Sequence, residues 1–124
     1  MTKKILITGV YGLIASAVYR QLQAQSDQYE VYALARRKVP SERSPKESTL
    51  DIPADRLVLA DLSDLDAVEK AVQGMDVVVQ MAADPRPEAS WDSLLSSNII
   101  GVRNVFEAVV RAGVPRVIYA SSIM

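Results

Sequence analysis

Two glycines three residues apart, Gly9 and Gly12, stand between a β-branched apolar run and an apolar pattern of helical period. Residues 5–7 read as a buried parallel strand, and Leu13, Ile14, Ala17, Val18 and Leu22 recur at helical spacing, so both glycines fall on a strand-to-helix turn. A glycine there takes positive φ without a steric cost. It also lets a phosphate approach the helix N-terminus, where unpaired N–H groups and the helix dipole favour negative charge. Ala15 fills a third small position, where one methyl still lets helix and strand lie close. The same stretch also imitates a secretory signal, with a basic start, an apolar run over residues 5–19 and the small triplet Ala15-Ser16-Ala17. Thr8 and the two glycines interrupt that apolar core, and the strand-helix rhythm continues beyond it, which favours the turn.

The rest of the chain repeats the pattern. Residues 29–35, 56–60, 76–82 and 116–121 are short apolar runs rich in valine, isoleucine or leucine and read as four further strands. Ser63 with Asp66 resembles a capping box. Leu65, Val68, Ala71 and Val72 share one helix face, and Gly74 stands where a C-cap is expected. A longer helix is predicted over residues 90–112, with Leu95, Ile99, Val102, Phe106 and Val109 on its buried face and Gly113 and Pro115 ending it. Strands alternating with helices imply parallel neighbours joined by right-handed crossovers, hence a doubly wound α/β sheet. Residues 37–53 break the rhythm with Pro40, Pro45, Pro53 and many polar side chains. They read as a loop, either a solvated linker or a flap over a ligand.

Composition narrows the partners. Fourteen basic and 15 acidic residues leave a net charge of -1, which provides no field for nucleic acid or an anionic membrane. With no cysteine and no histidine, disulfides, thiolate metal sites and histidine-based triads are excluded, and no metal site is expected. No apolar run approaches the roughly 20 residues that span a bilayer, so a cytoplasmic location is the expectation. The 124 residues suit one domain and are few for separate cofactor and substrate lobes.

Four stretches together resemble the extended short-chain dehydrogenase/reductases, the NAD-dependent epimerase/dehydratase family. Thr8, Gly9, Gly12 and Ala15 match its Thr-Gly-x-x-Gly-x-x-Gly pattern, with alanine for the last glycine. Asp61-Leu62 match its acidic-aliphatic pair after the third strand, and Ala82-Ala83 its pair after the fourth. Residues 98–105, from Asn98 through Gly101 and Asn104, are similar to its Asn-Val-x-Gly-Thr-x-Asn-Val. The resemblance implies a Rossmann-like NAD(P)-binding domain over residues 1–124, incomplete at its C-terminal side and without the substrate lobe. It implies a dinucleotide lying along Thr8, Gly9, Tyr11, Gly12, Leu13 and Ile14. Asp61 would accept from the adenine amino group, Leu62 would pack on the ring, and Ala82 and Ala83 would let a ribose come close. The competing readings are that Asp61 begins the next helix and that the alanines are ordinary packing. Asn98 and Asn104 would be structural.

NAD-binding folds of this type usually carry a carboxylate about 20 residues past the glycines to hold the ribose 2′-hydroxyl. Counting from Ala15 reaches Ala35, followed by Arg36-Arg37-Lys38. Arg36, then Arg37, suits a 2′-phosphate through charge-assisted hydrogen bonds, so NADP is favoured over NAD, against a solvated basic turn. The family's proton relay is a Tyr-x-x-x-Lys pair with a serine or threonine. Ser122 matches the catalytic hydroxyl, but no tyrosine here has a lysine four positions on. The expected function is the cofactor-binding part of an oxidoreductase, epimerase or dehydratase acting on a sugar, sugar acid or nucleotide sugar. The alternative is a non-catalytic NADP(H)-binding module. An exposed sheet edge would further favour a homo-oligomer.

Overall fold

Alternation within each strand sorts the core onto two faces of one sheet. In the computed structural model, which describes residues 2–38 and 50–121, β1 (Lys3–Thr8), β2 (Tyr29–Ala35), β3 (Leu57–Leu59), β4 (Val77–Gln80) and β5 (Arg116–Tyr119) are all parallel and ordered β3-β2-β1-β4-β5. Ile5, Ile7, Val31, Ala33, Ala35 and Val79 turn to one face, against Ala15 and Tyr19 of α1 (Leu13–Gln23). Leu6, Leu34 and Val78 turn to the other, against Val68, Ala71 and Val72 of α2 (Leu65–Val72) and Val105, Ala108 and Val109 of a further helix. Period-two side chains buried on both faces are what a sheet with helices on each side requires. The doubly wound class read from the sequence is the one observed, and the stretch that imitated a signal peptide begins with its central strand.

The order reverses at β1, whose neighbours are β2 on one side and β4 on the other, with Ile5 in register with both Val31 and Val77. In open α/β sheets ligands bind outside the carboxyl ends of the strands at this reversal. Here that edge holds Thr8, Gly9 and residues 80–83.

Several local expectations are corrected. The helix predicted over residues 90–112 has three parts: a single turn, α3 (Trp91–Ser93), a π-helical segment (Leu94–Ile100) and α4 (Gly101–Ala112). The Gly101 N–H bonds to the Ser96 carbonyl five residues back, the wider winding that defines a π-helix. This shifts the phase of what precedes α4. The buried stripe of α4 is Gly101, Asn104, Val105, Ala108 and Val109, so of the five residues predicted to face the core only Val109 is buried. Small residues decide the face: a Cβ on Gly101 would stand 2.9 Å from Leu62 Cβ, so its absence lets α4 close onto the loop after β3. Phe106 turns outward instead and meets Tyr119 edge-on, ring centroids 5.8 Å apart.

The predicted cap of α2 also moves by one residue. Asp64, not Ser63, is the N-cap, its carboxylate accepting from the Ala67 N–H at 3.2 Å, while Ser63 folds back onto Asp61. On α1, Leu13, Ile14 and Ala17 lie outside the buried stripe, which is Ala15, Ser16 and Tyr19. The piece read as a loop over residues 37–53 falls largely outside the described residues. Its end is packed rather than solvated, with Ile52 buried in the cluster that holds Tyr19 and Val31. Gly74 and Gly113 end α2 and α4 at φ +76° and +70°, as their positions implied. Among the described residues, no helix is long and apolar enough to cross a membrane, and no group of three acidic, cysteine or histidine side chains could hold a metal.

Candidate functional site

The turn after β1 is shaped by what its glycines lack. Gly9 has φ +66°, donates its N–H to the Leu34 carbonyl at 2.8 Å, and lies so close to β4 that a Cβ would stand 2.7 Å from Ala82 Cα. Gly12 closes the turn with a 2.9 Å bond from its N–H to the Gly9 carbonyl and is the N-cap of α1. It has no side chain to satisfy the first amides of the helix, so the N–H groups of Leu13, Ile14 and Ala15 are left without a side-chain cap. Leu13 and Ile14 are exposed there, Ile14 to 63%, an apolar rim beside the open amides. Open donors and a helix dipole suit a dinucleotide diphosphate, while the missing Cβ of Gly9 lets the turn pack against Ala82. Tyr11 turns its half-buried ring against the α1-face core, and burial pushes its phenol up.

Thr8 lies beneath the turn rather than in it. Its buried hydroxyl donates to Gln80 Oε1 at 2.6 Å and accepts from the Met81 and Ala82 N–H groups at 3.0 and 3.1 Å. Gln80 Nε2 in turn donates to the Ala82 carbonyl at 2.9 Å. The hydroxyl is fully committed, so Thr8 joins the carboxyl ends of β1 and β4 and presses Ala82 against Gly9. Gln80 escaped the sequence reading. Its only signal was a polar residue closing the apolar run 77–79.

Asp61 is exposed after β3. Its Oδ1 accepts both the Ser63 N–H and the Ser63 hydroxyl, at 2.9 and 2.8 Å. The Ser63 backbone donor, then the Ser63 hydroxyl and the charge of Arg36, hold the carboxyl below its usual range despite partial desolvation. Asp61 therefore remains an anionic acceptor, and Arg36 lies near it. Arg36 and Arg37 are both exposed just beyond β2. Leu62, expected to pack on an adenine ring, is only 7% exposed. It is buried with Leu6, Leu34 and Val105, because Gly101 lets α4 cover it. Asn104 fixes the same contact, donating to the Leu62 carbonyl at 2.8 Å. Ala83 is exposed beside the half-buried Ala82. Ser122 lies outside the described residues.

The edge thus gathers Gly9, Gly12, Leu13, Ile14 and Ala82 at the β1-β4 reversal, with Asp61 and Arg36 on the β2-β3 side. A concavity of about 800 Å³ lies elsewhere, on the sheet face beside α1, lined by apolar residues such as Ile5, Val18, Leu22 and Ile118 and by none of the glycine turn. Lys3, Asp27 and Arg116 add charge of both signs to its lining.

Known proteins share this fold and much of this sequence. The chain is 34% identical over 122 residues to an NAD-dependent glucose-6-phosphate dehydrogenase of Haloferax volcanii, covering 98% of this chain and 44% of the relative. It is 45% identical over 65 residues to an L-arabinose 1-dehydrogenase (NAD(P)+) of the same organism, covering 52% and 26%. A structure of uronate dehydrogenase from Agrobacterium tumefaciens complexed with NAD superposes with a TM-score of 0.76 at 28% identity, covering 98% of this chain and 42% of that one. The chain spans less than half the length of these relatives. Their names carry NAD or NAD(P), which lends no support to a preference for NADP. The family model for the NAD dependent epimerase/dehydratases matches residues 5–124. With a parallel sheet, a glycine turn at its order reversal and a match over nearly its whole length, the chain belongs to the NAD dependent epimerase/dehydratase family.

Proposed function

We propose that residues 1–124 are the cofactor-binding part of a cytoplasmic dehydrogenase acting on a sugar or sugar acid, and that they bind a nicotinamide dinucleotide across the β1-β4 reversal. The observation that carries this is the glycine turn, in which Gly12 caps α1 without a side-chain bond to its first amides and Gly9, at φ +66°, packs against Ala82. Those amides hold the diphosphate. The free oxygen of Asp61 accepts from the adenine amino group, Leu13 and Ile14 cover the bound chain, and Ala82 with Ala83 admits the second ribose. When bound, the cofactor supplies hydride chemistry at its nicotinamide ring. Ser122, by its resemblance to the family's paired serines, is the hydroxyl that orients the substrate oxygen. The sugar class follows the named relatives, which include a glucose-6-phosphate dehydrogenase and a uronate dehydrogenase.

Arg36 and Arg37, with no carboxylate at the end of β2, support the 2′-phosphorylated dinucleotide as the tighter ligand. Calorimetric titration with NADP and NAD in parallel tests both parts. Arg36→Ala is expected to weaken NADP by about tenfold while leaving NAD within about twofold. Equal affinities that ignore the substitution would remove the NADP preference, and no binding of either would remove the reading. We also propose self-association through β5 and the outer side of α4, where Val110, Ile118 and Tyr119 are 78%, 52% and 48% exposed. A strictly monomeric species in light scattering would contradict it.

A further inference from the structure

The loop leaving β4 is held by a cluster of side chains that the glycine turn does not use. The Asp84 side chain is 10% exposed, and its carboxylate accepts from Arg86 Nε at 2.9 Å, Arg86 Nη2 at 2.7 Å, the Arg86 N–H at 3.2 Å and the Ser93 hydroxyl. The backbone of the same residue is clasped by one amide. Asn98 Oδ1 accepts the Asp84 N–H at 2.8 Å, and Asn98 Nδ2 donates to the Asp84 carbonyl at 3.2 Å. Asn98 stands in the π-helical segment and Ser93 in the turn before it, so Asp84 ties the loop to both.

Two residues upstream, Ala82 is fixed from the other end by Thr8 and Gln80 and lies against Gly9. Ala82 and Ala83 are therefore a short piece of backbone clamped at each end. A dinucleotide across the reversal with its adenosine half over β2 and β3 lays its nicotinamide half over β4, on this piece.

We propose that Asp84 is a positioning residue for the cofactor: by anchoring the loop to Ser93, Arg86 and Asn98 it sets the path of Ala82 and Ala83, and with it the seat of the nicotinamide-side ribose. The inference rests on the reading that this crevice takes a nicotinamide dinucleotide. A carboxylate is needed because it must gather a guanidinium and a hydroxyl at once. An amide of the same shape offers one acceptor atom in place of two and carries no charge to hold Arg86.

The two halves of the ligand separate this role from simple loss of fold. ADP probes the glycine turn and Asp61 without reaching the Asp84 side, whereas NADH spans both. In parallel titrations of the 124-residue chain, Asp84→Asn is expected to leave ADP affinity within about twofold and weaken NADH by at least about tenfold, the loss of a charge-assisted contact. Equal weakening of both probes, or of neither, would overturn the role of Asp84. Wild-type protein that binds neither probe would instead overturn the crevice reading beneath it. Ser93→Ala removes a single donor and leaves Arg86 and Asn98 in place, so it carries the same comparison if Asp84→Asn does not fold; a smaller loss confined to NADH is then expected, and no selective loss would sink the proposal.

Discussion

The turn after β1 and the loop after β4 leave adjacent strands at the same edge of the sheet, yet they are built on opposite plans. The first is shaped by backbone bonds alone, Gly9 to Leu34 and Gly12 to Gly9, and fits because two Cβ atoms are missing. The second is held by side chains throughout: Gln80, Asp84, Arg86, Ser93 and Asn98 each spend polar atoms on it. The difference follows from what each must offer. A turn that presents open amides to an anion cannot carry side chains that would cap them, so its position has to be imposed by its neighbour. Thr8 and Ala82 make that connection, the one by hydrogen bonds and the other by contact with Gly9.

The largest effect is expected where the two plans touch. Gly9→Val places a β-branched residue at φ +66°, costing about 1–2 kcal/mol, and drives a Cβ into Ala82, adding about 1–3 kcal/mol of overpacking. Gly113 isolates the first contribution, because its φ is +70° and nothing lies within 4 Å of its missing Cβ. Urea denaturation should therefore show Gly9→Val losing about twice as much stability as Gly113→Val, and only the former losing dinucleotide binding. Similar losses for the two would show that the contact with Ala82 does not constrain the turn.

Thr8→Val comes next. It keeps the shape of the side chain but leaves Gln80 Oε1 and two N–H groups without the hydroxyl that served them, a cost of about 3 kcal/mol. Thr8→Ser retains the hydroxyl and is expected to lose less than about 1 kcal/mol, mostly the packing of one methyl. If the serine variant proved as damaging as the valine variant in the same denaturation experiment, the join between the strands would rest on packing rather than on hydrogen bonds.

The same contrast explains what could be read in advance. The sheet, its parallel order and the glycine turn were legible because they depend on local patterns: period-two apolar runs, and two glycines between a strand and a helix. Asp61, Leu13 and Ile14 were singled out through resemblance, while the exposure of Leu13 and Ile14 ran against their place in the apolar helical pattern. The burial of Leu62 was not legible because it depends on Gly101, 39 positions later, where a missing Cβ admits α4. The face of α4 was misplaced for a related reason, since a π-helical segment changes the angular phase that an i, i+3, i+4 count assumes constant. Gln80, Ser93 and Asp84 were invisible because their partners are chosen by tertiary contact, and nothing in the spacing of a serine and an aspartate announces a hydrogen bond.

The smallest effect separates two anchored carboxylates by acid. Arg86 and then Ser93 hold Asp84 far below the usual carboxylate range, whereas Ser63, with Arg36, depresses Asp61 less. A carboxyl depressed in the folded chain takes up its proton first in the unfolded one. The stability it contributes is thus complete above the ordinary aspartate value of 3.8 and is lost as the pH falls from there through the folded value. Neither group should change stability between about pH 7 and pH 5, and both should lower it below about pH 4. Asp84, the more depressed, goes on losing its share at pH values where Asp61 is already protonated in both states. Denaturation midpoints of the wild type, Asp61→Asn and Asp84→Asn across that range should therefore converge in acid, with Asp84→Asn removing the greater part of the slope. A steeper slope lost with Asp61→Asn would reverse the ranking and place the stronger anchor on the β3 side of the crevice, opposite the loop that Asp84 holds.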